Sequence, residues 1–173
     1  MKKIVINGGH CPGLDPGAVG EFVTEADIVR EVGLMVESNL KNAGHETVFV
    51  QEDELADVCA IANEFEADIF VSIHCNAANN IAHGTETFYY QEGDESYELA
   101  GLIQSNLVFD LGTTNRGIKD GSWLYVLRNT DMTAVLVEIG FIDNPDEEQL
   151  IISKKPQIAS AISDGILEFI DTL

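Results

Sequence analysis

Basic residues are scarce in this chain. Its 173 residues include 9 Lys and Arg against 30 Asp and Glu, a formal net charge of −21. A field of that sign repels nucleic-acid phosphates and anionic lipid, so neither is an expected partner. The acids divide evenly, 15 in residues 1–86 and 15 in residues 87–173, which marks a solvated surface rather than an acidic tail. Cysteine is also sparse. Cys11, Cys59 and Cys75 are an odd number in a mid-sized domain and imply reduced thiols rather than a disulfide framework. Long apolar runs are missing as well. After Met1-Lys2-Lys3, the run Ile4-Val5-Ile6 stops at Asn7-Gly8-Gly9, far short of a signal-peptide core or a spanning helix. The expectation is synthesis in the cytoplasm without a signal peptide. No repeat or linker separates one part of the chain from another, and a monomer or weak oligomer is expected.

What is present is an ordinary globular composition, 45% hydrophobic and 23% charged, which excludes disorder and low-complexity classes. The length suits one domain, residues 1–173, with a sizeable core. Short β-branched runs read as strands at Ile4–Ile6, Thr47–Val50, Ile69–Ile73, Thr85–Tyr90, Leu124–Leu127 and Ala134–Ile139. Between them lies a helical pattern from Glu25 to Asn42, with Ile28, Val32, Met35 and Val36 on one face. Thr24 and Asp27 supply its capping box, and Gly44 lies just past its end. Leu55–Phe65 reads as a shorter helix, and Leu99, Ile103 and Leu107 mark another. Ile158, Ile162, Ile166 and Phe169 mark the last, opened by Ser153 and Pro156. This alternation predicts an α/β fold with a largely parallel sheet flanked by helices.

Several of these segments end in residues that a purely structural core would not choose. In Ile69-Phe70-Val71-Ser72-Ile73-His74-Cys75-Asn76, period two puts Ile69, Val71, Ile73 and Cys75 on one face and Ser72, His74 and Asn76 on the other. Glu138 interrupts the apolar run Val135–Ile139, where an unpaired carboxylate costs several kcal/mol and calls for a partner or a metal. The first strand runs into Asn7-Gly8-Gly9-His10. In open α/β sheets ligands gather outside the carboxyl ends of strands, which is where His10, His74 and Glu138 fall. Two histidines and a carboxylate converging there form a candidate zinc set, since catalytic zinc takes three protein ligands and keeps one position open. Glu138 is also a candidate base, so the third ligand has to come from elsewhere. Glu25 opens a helix whose first turn faces the same rim. The competing readings are structural: a core histidine for His74, a loop residue for His10, and helix-dipole complementation for Glu25.

Other features carry less. The Gly-rich loop Asn7–Gly20 lacks the Gly-Lys-Ser/Thr ending of a phosphate-binding loop. Cys75 reads as a small buried hydrophobe, and Cys11 is undecided. His45 reads as turn chemistry and His83 as surface or structural. Tyr89, Tyr90, Trp123 and Tyr125 read as strand packing rather than a sugar-stacking platform, and Lys154-Lys155-Pro156 as a helix start.

The series Gly8-Gly9-His10, Asp15-Pro16-Gly17-Ala18 and the helix-opening Glu25 resembles the zinc-dependent N-acetylmuramoyl-L-alanine amidases, the family 3 type of cell-wall amidase found in autolysins and endolysins. The resemblance continues in order through Ala67–Ala77, Gly84-Thr85-Glu86, Arg116-Gly117, Val126-Leu127-Arg128 and Val135–Asn144, covering essentially the whole chain. It implies a twisted, mostly parallel sheet of about six strands between helices, a phosphorylase/hydrolase-like arrangement. It implies His10, Glu25 and His74 as ligands of Zn2+ and Glu138 as the catalytic carboxylate. The implied substrate is the peptidoglycan amide between the lactyl group of N-acetylmuramic acid and L-alanine. Asn76, on the His74 face, is a further candidate for substrate contact or oxyanion donation, against a strand-terminating side chain bonded to backbone. There are departures. The family usually has Asp-Pro-Gly-His where this chain has Asn7-Gly8-Gly9-His10, an Arg after Leu where it has Leu55-Ala56-Asp57, and a Pro where it has Thr133. Two other classes fit the same residues: a non-catalytic peptidoglycan-recognition module, and a zinc peptidase acting on the stem peptide. Action on the wall would follow lysis, holin-type release or another non-classical route.

Overall fold

The computed structural model describes residues 1–173. Six strands form one sheet: β1 (Lys3–Gly8), β2 (Glu46–Val50), β3 (Ile69–Asn76), β4 (Thr85–Tyr89), β5 (Asn115–Asp120) and β6 (Thr133–Phe141). Their order is β2-β1-β3-β6-β4-β5. All neighbours are parallel except β4 and β6, which run antiparallel. The carboxyl ends of β1, β3 and β6 therefore share one rim with the amino ends of β4 and β5.

Six helices accompany the sheet: α1 (Glu25–Asn42), α2 (Leu55–Glu64), α3 (Glu95–Leu111), α4 (Tyr125–Arg128), α5 (Pro145–Ser153) and α6 (Lys155–Thr172). Local chemistry explains their limits. Thr24 caps α1 by accepting from the Asp27 N–H. Asp94 caps α3, which stops at Gly112 in the left-handed region (φ 64°). Asn144 caps α5 ahead of Pro145, whose missing N–H costs nothing in a first turn.

The two sheet faces are covered unequally. Ile69, Val71, Ile73 and Cys75 of β3 face the larger core with α1, α3 and α6, where Leu107, Ile162 and Phe169 are fully buried. The opposite face, with Val5, Phe70, Ala134 and Leu136, meets only α2 and the single turn α4. Period two along β3 and β6 thus continues from Phe70 and Leu136 to His74 and Glu138 on the thinly covered face, as read from the sequence.

Three assignments differ from the sequence reading. Leu124–Leu127 is not a strand; Tyr125–Arg128 forms the helical turn α4. The sixth strand is instead Asn115–Asp120, a polar edge segment with Gly117 at φ 81°. Pro145–Ser153 adds a separate helix, so Ser153 ends α5 rather than opening α6. Of the aromatic residues expected to pack in strands, Trp123 is 67% exposed in the turn before α4, Tyr125 lies on that helix, and Tyr90 falls just beyond β4.

Candidate metal centre

Glu25 is the hub of the rim. It is 3% exposed although its side chain is charged. Its Oε2 accepts from the Ala18 N–H at 2.9 Å and its Oε1 from the Cys75 N–H at 3.0 Å. Both histidines close on it: His74 Nδ1 lies 2.9 Å from Oε1, and His10 Nε2 lies 3.2 Å from Oε2. Burial raises the Glu25 carboxyl, but the bonds to His10 and His74 outweigh it and hold the group well below the usual carboxylate range. The same Glu25 bond, opposed by burial and helped by Asp15, raises His10 to about 9. The negative field of Glu25 and Asp15 that raises His10 favours any cation at this point, and a metal ion there has to displace the proton.

The backbone is shaped for this convergence. His10 itself adopts a left-handed conformation (φ 59°), costly for a non-glycine residue and found mainly where the surroundings enforce it. Gly9 leaves room for the His74 ring, which would sit 2.2 Å from a Cβ at that position. Gly17, at φ 64°, does the same for the His10 ring and Glu25 Oε2, whose nearest atoms would lie 2.5 and 2.6 Å from a Cβ. Asp15 Oδ2 accepts from His10 Nδ1 at 2.5 Å, while its Oδ1 accepts from the Gly17 N–H at 3.0 Å. That bond fixes the orientation of the ring, leaving Nε2 directed at Glu25.

The donor atoms of His10, Glu25 and His74 all lie within 4.8 Å of one another. Two atoms bonded to one tetrahedral ion at roughly 2.0–2.1 Å are about 3.3–3.4 Å apart, so the spacing suits a single small divalent cation. Two imidazoles, one carboxylate and a carboxylate bonded behind a ring nitrogen also make a chemically suitable donor set.

Glu138 stands next to this cluster, paired with His74 across β3 and β6. Its Oε2 is buried and has no hydrogen-bond partner in the chain. Burial, partly offset by the His74 charge, pushes its carboxyl up to about 7, which is where a group can both take and give a proton near neutral pH. Asn76 is committed elsewhere: its Nδ2 donates to Glu86 Oε1 at 3.0 Å and its Oδ1 accepts from the Ala77 N–H at 2.9 Å. Cys75 is buried, and burial drives its thiol well above the ordinary value, in keeping with a small hydrophobe. Cys11 forms a tight backbone bridge with Asp15. His83 Nδ1 bonds the Ile81 carbonyl and His45 Nδ1 accepts from the Lys2 N–H, both away from the cluster.

The chain is similar to known proteins over nearly all of its length. The family described as N-acetylmuramoyl-L-alanine amidase matches residues 4–168. The germination-specific N-acetylmuramoyl-L-alanine amidase of Bacillus subtilis is 31% identical over 97% of this chain and 79% of its own length. This chain spans only 35% of a Bacillus anthracis cell wall amidase with 35% identity. The crystal structure of an N-acetylmuramoyl-L-alanine amidase from Clostridium difficile 630 superposes with a TM-score of 0.92 at 33% identity, covering 99% of this chain and 97% of that one. The catalytic domain of CwlV from Bacillus (Paenibacillus) polymyxa gives 0.91 at 34% identity with both chains fully covered. Since the family match runs from Ile4 to Glu168, through every element that carries the cluster, the chain belongs to the N-acetylmuramoyl-L-alanine amidases.

Proposed function

We propose that this chain is a single zinc amidase domain that hydrolyses the peptidoglycan amide joining the lactyl group of N-acetylmuramic acid to L-alanine. His10, Glu25 and His74 would hold the ion, and Glu138 would move the proton. The observation that carries the reading is the convergence of three ligand atoms within 4.8 Å beside a buried carboxylate oxygen that has no partner. The chemistry a bound zinc ion supplies is Lewis acidity, which acidifies water and polarises an amide carbonyl.

The remaining work falls to side chains. Glu138 Oε2 accepts a proton from the attacking water and returns it to the departing alanine nitrogen, so the C–N bond breaks with a neutral amine leaving. Its raised proton affinity suits the second half of that task, and its freedom from other hydrogen bonds suits the first. Asp15 holds the His10 ring in one orientation. Gly9 and Gly17 let His74 and His10 approach Glu25. No helix is long and apolar enough to cross a membrane, which accords with a polymeric wall substrate met from the aqueous side.

The test is paired: metal content of the purified chain, and release of L-alanine amino groups from peptidoglycan with and without a chelator. Near-stoichiometric zinc and chelator-sensitive release at L-alanine are expected. Bound zinc with no release would favour a recognition module, and new amino groups elsewhere in the stem would favour a peptidase.

A further inference from the structure

The polar row that begins at His74 does not end at Glu138. Glu138 pairs with Glu86 on β4, and opposite Glu86 the edge strand β5 bulges. Thr85 pairs with Asn115 and Thr87 with Ile118, so Arg116 and Gly117 together face Glu86. Such bulges commonly re-aim a side chain. Lys119 pairs with Phe88, two residues along β4 on the same face.

Glu86 is 4% exposed, and a carboxylate so buried is tolerated only when well paired. It is paired twice. Its Oε2 accepts from Arg116 Nε at 2.7 Å and from Lys119 Nζ at 2.5 Å, while Oε1 accepts from Asn76. One cation would neutralise Glu86, so the trio Glu86, Arg116 and Lys119 by itself carries one positive charge in a chain of net charge −21, with the Glu138 carboxyl paired to Glu86 across β4 and β6. The other lysine ion pairs, on Asp68, Glu66, Glu37 and Glu31, set one cation against one acid. The two cations remain accessible, with side chains 35% and 39% exposed. Both are also held in place. The Arg116 guanidinium lies 4.8 Å from the centre of the Phe141 ring, its Nη1 reaches only the His83 carbonyl at 3.5 Å, and Lys119 spends one donor on Glu86. A guanidinium has five N–H donors and an ammonium three, so most of their capacity is unspent within the chain. A buried carboxylate that fixes two flexible cations in advance reduces the ordering cost of binding an anion.

The geometry points to Arg116 and Lys119 as a subsite for a free carboxylate on the stem peptide of the substrate. This rests on the amidase reading above. Strands lie about 4.8 Å apart, so β5 is two steps, roughly 10 Å, from Glu138. An extended peptide covers that distance in about three residues. The carboxylate recognised is therefore one carried near the cleaved bond.

The experiment compares two muramoyl-peptide substrates that differ only in one stem carboxylate near the cleaved bond, free in one and amidated in the other, using the zinc-loaded full chain. The wild-type chain should favour the free carboxylate by about tenfold in kcat/KM, the low end for a hydrogen bond to a charged group. The difference should lie in KM and shrink as salt is added. Lys119→Met should bring the ratio toward one, and Lys119→Arg should keep it. A wild-type ratio of one, or an undiminished ratio in Lys119→Met, overturns the inference and leaves the hydrolysis standing. Cleavage of neither substrate overturns the amidase reading and this inference with it. If Lys119→Met does not fold, the wild-type ratio and its salt dependence decide alone.

Discussion

Single side chains at the rim divide into those that hold and those that react, and substitution separates the two. Glu138→Ala removes no atom of the His10–Glu25–His74 cluster, so zinc content should stay near wild type while the rate falls by at least ~10²-fold, as for loss of a general base. Turnover close to wild type would remove Glu138 from that role. Asp15→Asn should act the other way. It weakens the bond behind His10 Nδ1, and metal affinity measured by chelator competition should drop about 10–100-fold. Glu86 permits a pH prediction. Burial raises its carboxyl, but Lys119 and Arg116 outweigh that and the net direction is down from 4.5. A lowered carboxylate contributes stability that is fully present above 4.5 and fades as pH falls through the folded value. The stability that wild type holds over Glu86→Gln in denaturant unfolding should therefore shrink as pH falls below 4.5 and fade in acid. His74 and Glu138 were legible in the sequence because each is polar at an inward position of an apolar run. Asp15 and the trio Glu86, Arg116 and Lys119 carried no assigned role, because only tertiary geometry and cross-strand register bring each to its partner.

Among the elements, α5 shows what the sequence hid. Asp146-Glu147-Glu148 is a run of three acids with no role assigned from the sequence, yet Glu148 is 1% exposed. Its carboxylate accepts from the backbone N–H groups of Glu21, Phe22 and Val23 at 3.0, 2.7 and 3.0 Å. The first turn of α5 thereby clamps the loop that delivers Glu25 to the rim. Glu148→Ala would remove the charged acceptor shared by three part-buried N–H donors, and the loss of stability by denaturant unfolding should be about 1.5–3 kcal/mol, with metal affinity falling alongside. A loss under ~1 kcal/mol would mean that water replaces the clamp. The edge strand β5 escaped notice for a related reason: Asn115-Arg116-Gly117-Ile118-Lys119-Asp120 has neither an apolar run nor an unbroken period of two. Leu124–Leu127 misled in the opposite sense, being apolar but too short to reveal which period it follows. The long helices α1, α3 and α6 were legible because their apolar spacing repeats over several turns.

At the scale of the whole molecule the charge dominates. A net −21 on 173 residues opposes compaction. Screening should relieve it, so the melting temperature should rise as monovalent salt increases from about 10 to 150 mM, where the Debye length shrinks from about 30 to 8 Å. A flat or falling trend would show that local ion pairs such as Arg116–Glu86 outweigh the overall repulsion. The α/β class was open to inspection in the sequence because it depends on alternating patterns, whereas the count of six strands agreed only because Leu124–Leu127 stood in for the missed β5, and the antiparallel turn at β4 depends on packing alone.

That reversed strand has a further consequence for how the chain acquires its chemistry. Neighbours in the row come from positions 74, 138, 86 and 116, and with His10 and Glu25 the site spans residues 10–138, so no half of the chain contains it. Closing such distant segments carries a loop-entropy cost before any contact rewards it, which makes the arrangement a late event in folding. Helical signal can return early on dilution from denaturant. Catalysis should return only with the last pairing of β4 against β6, and no proteolytic half of the chain should retain a fraction of it.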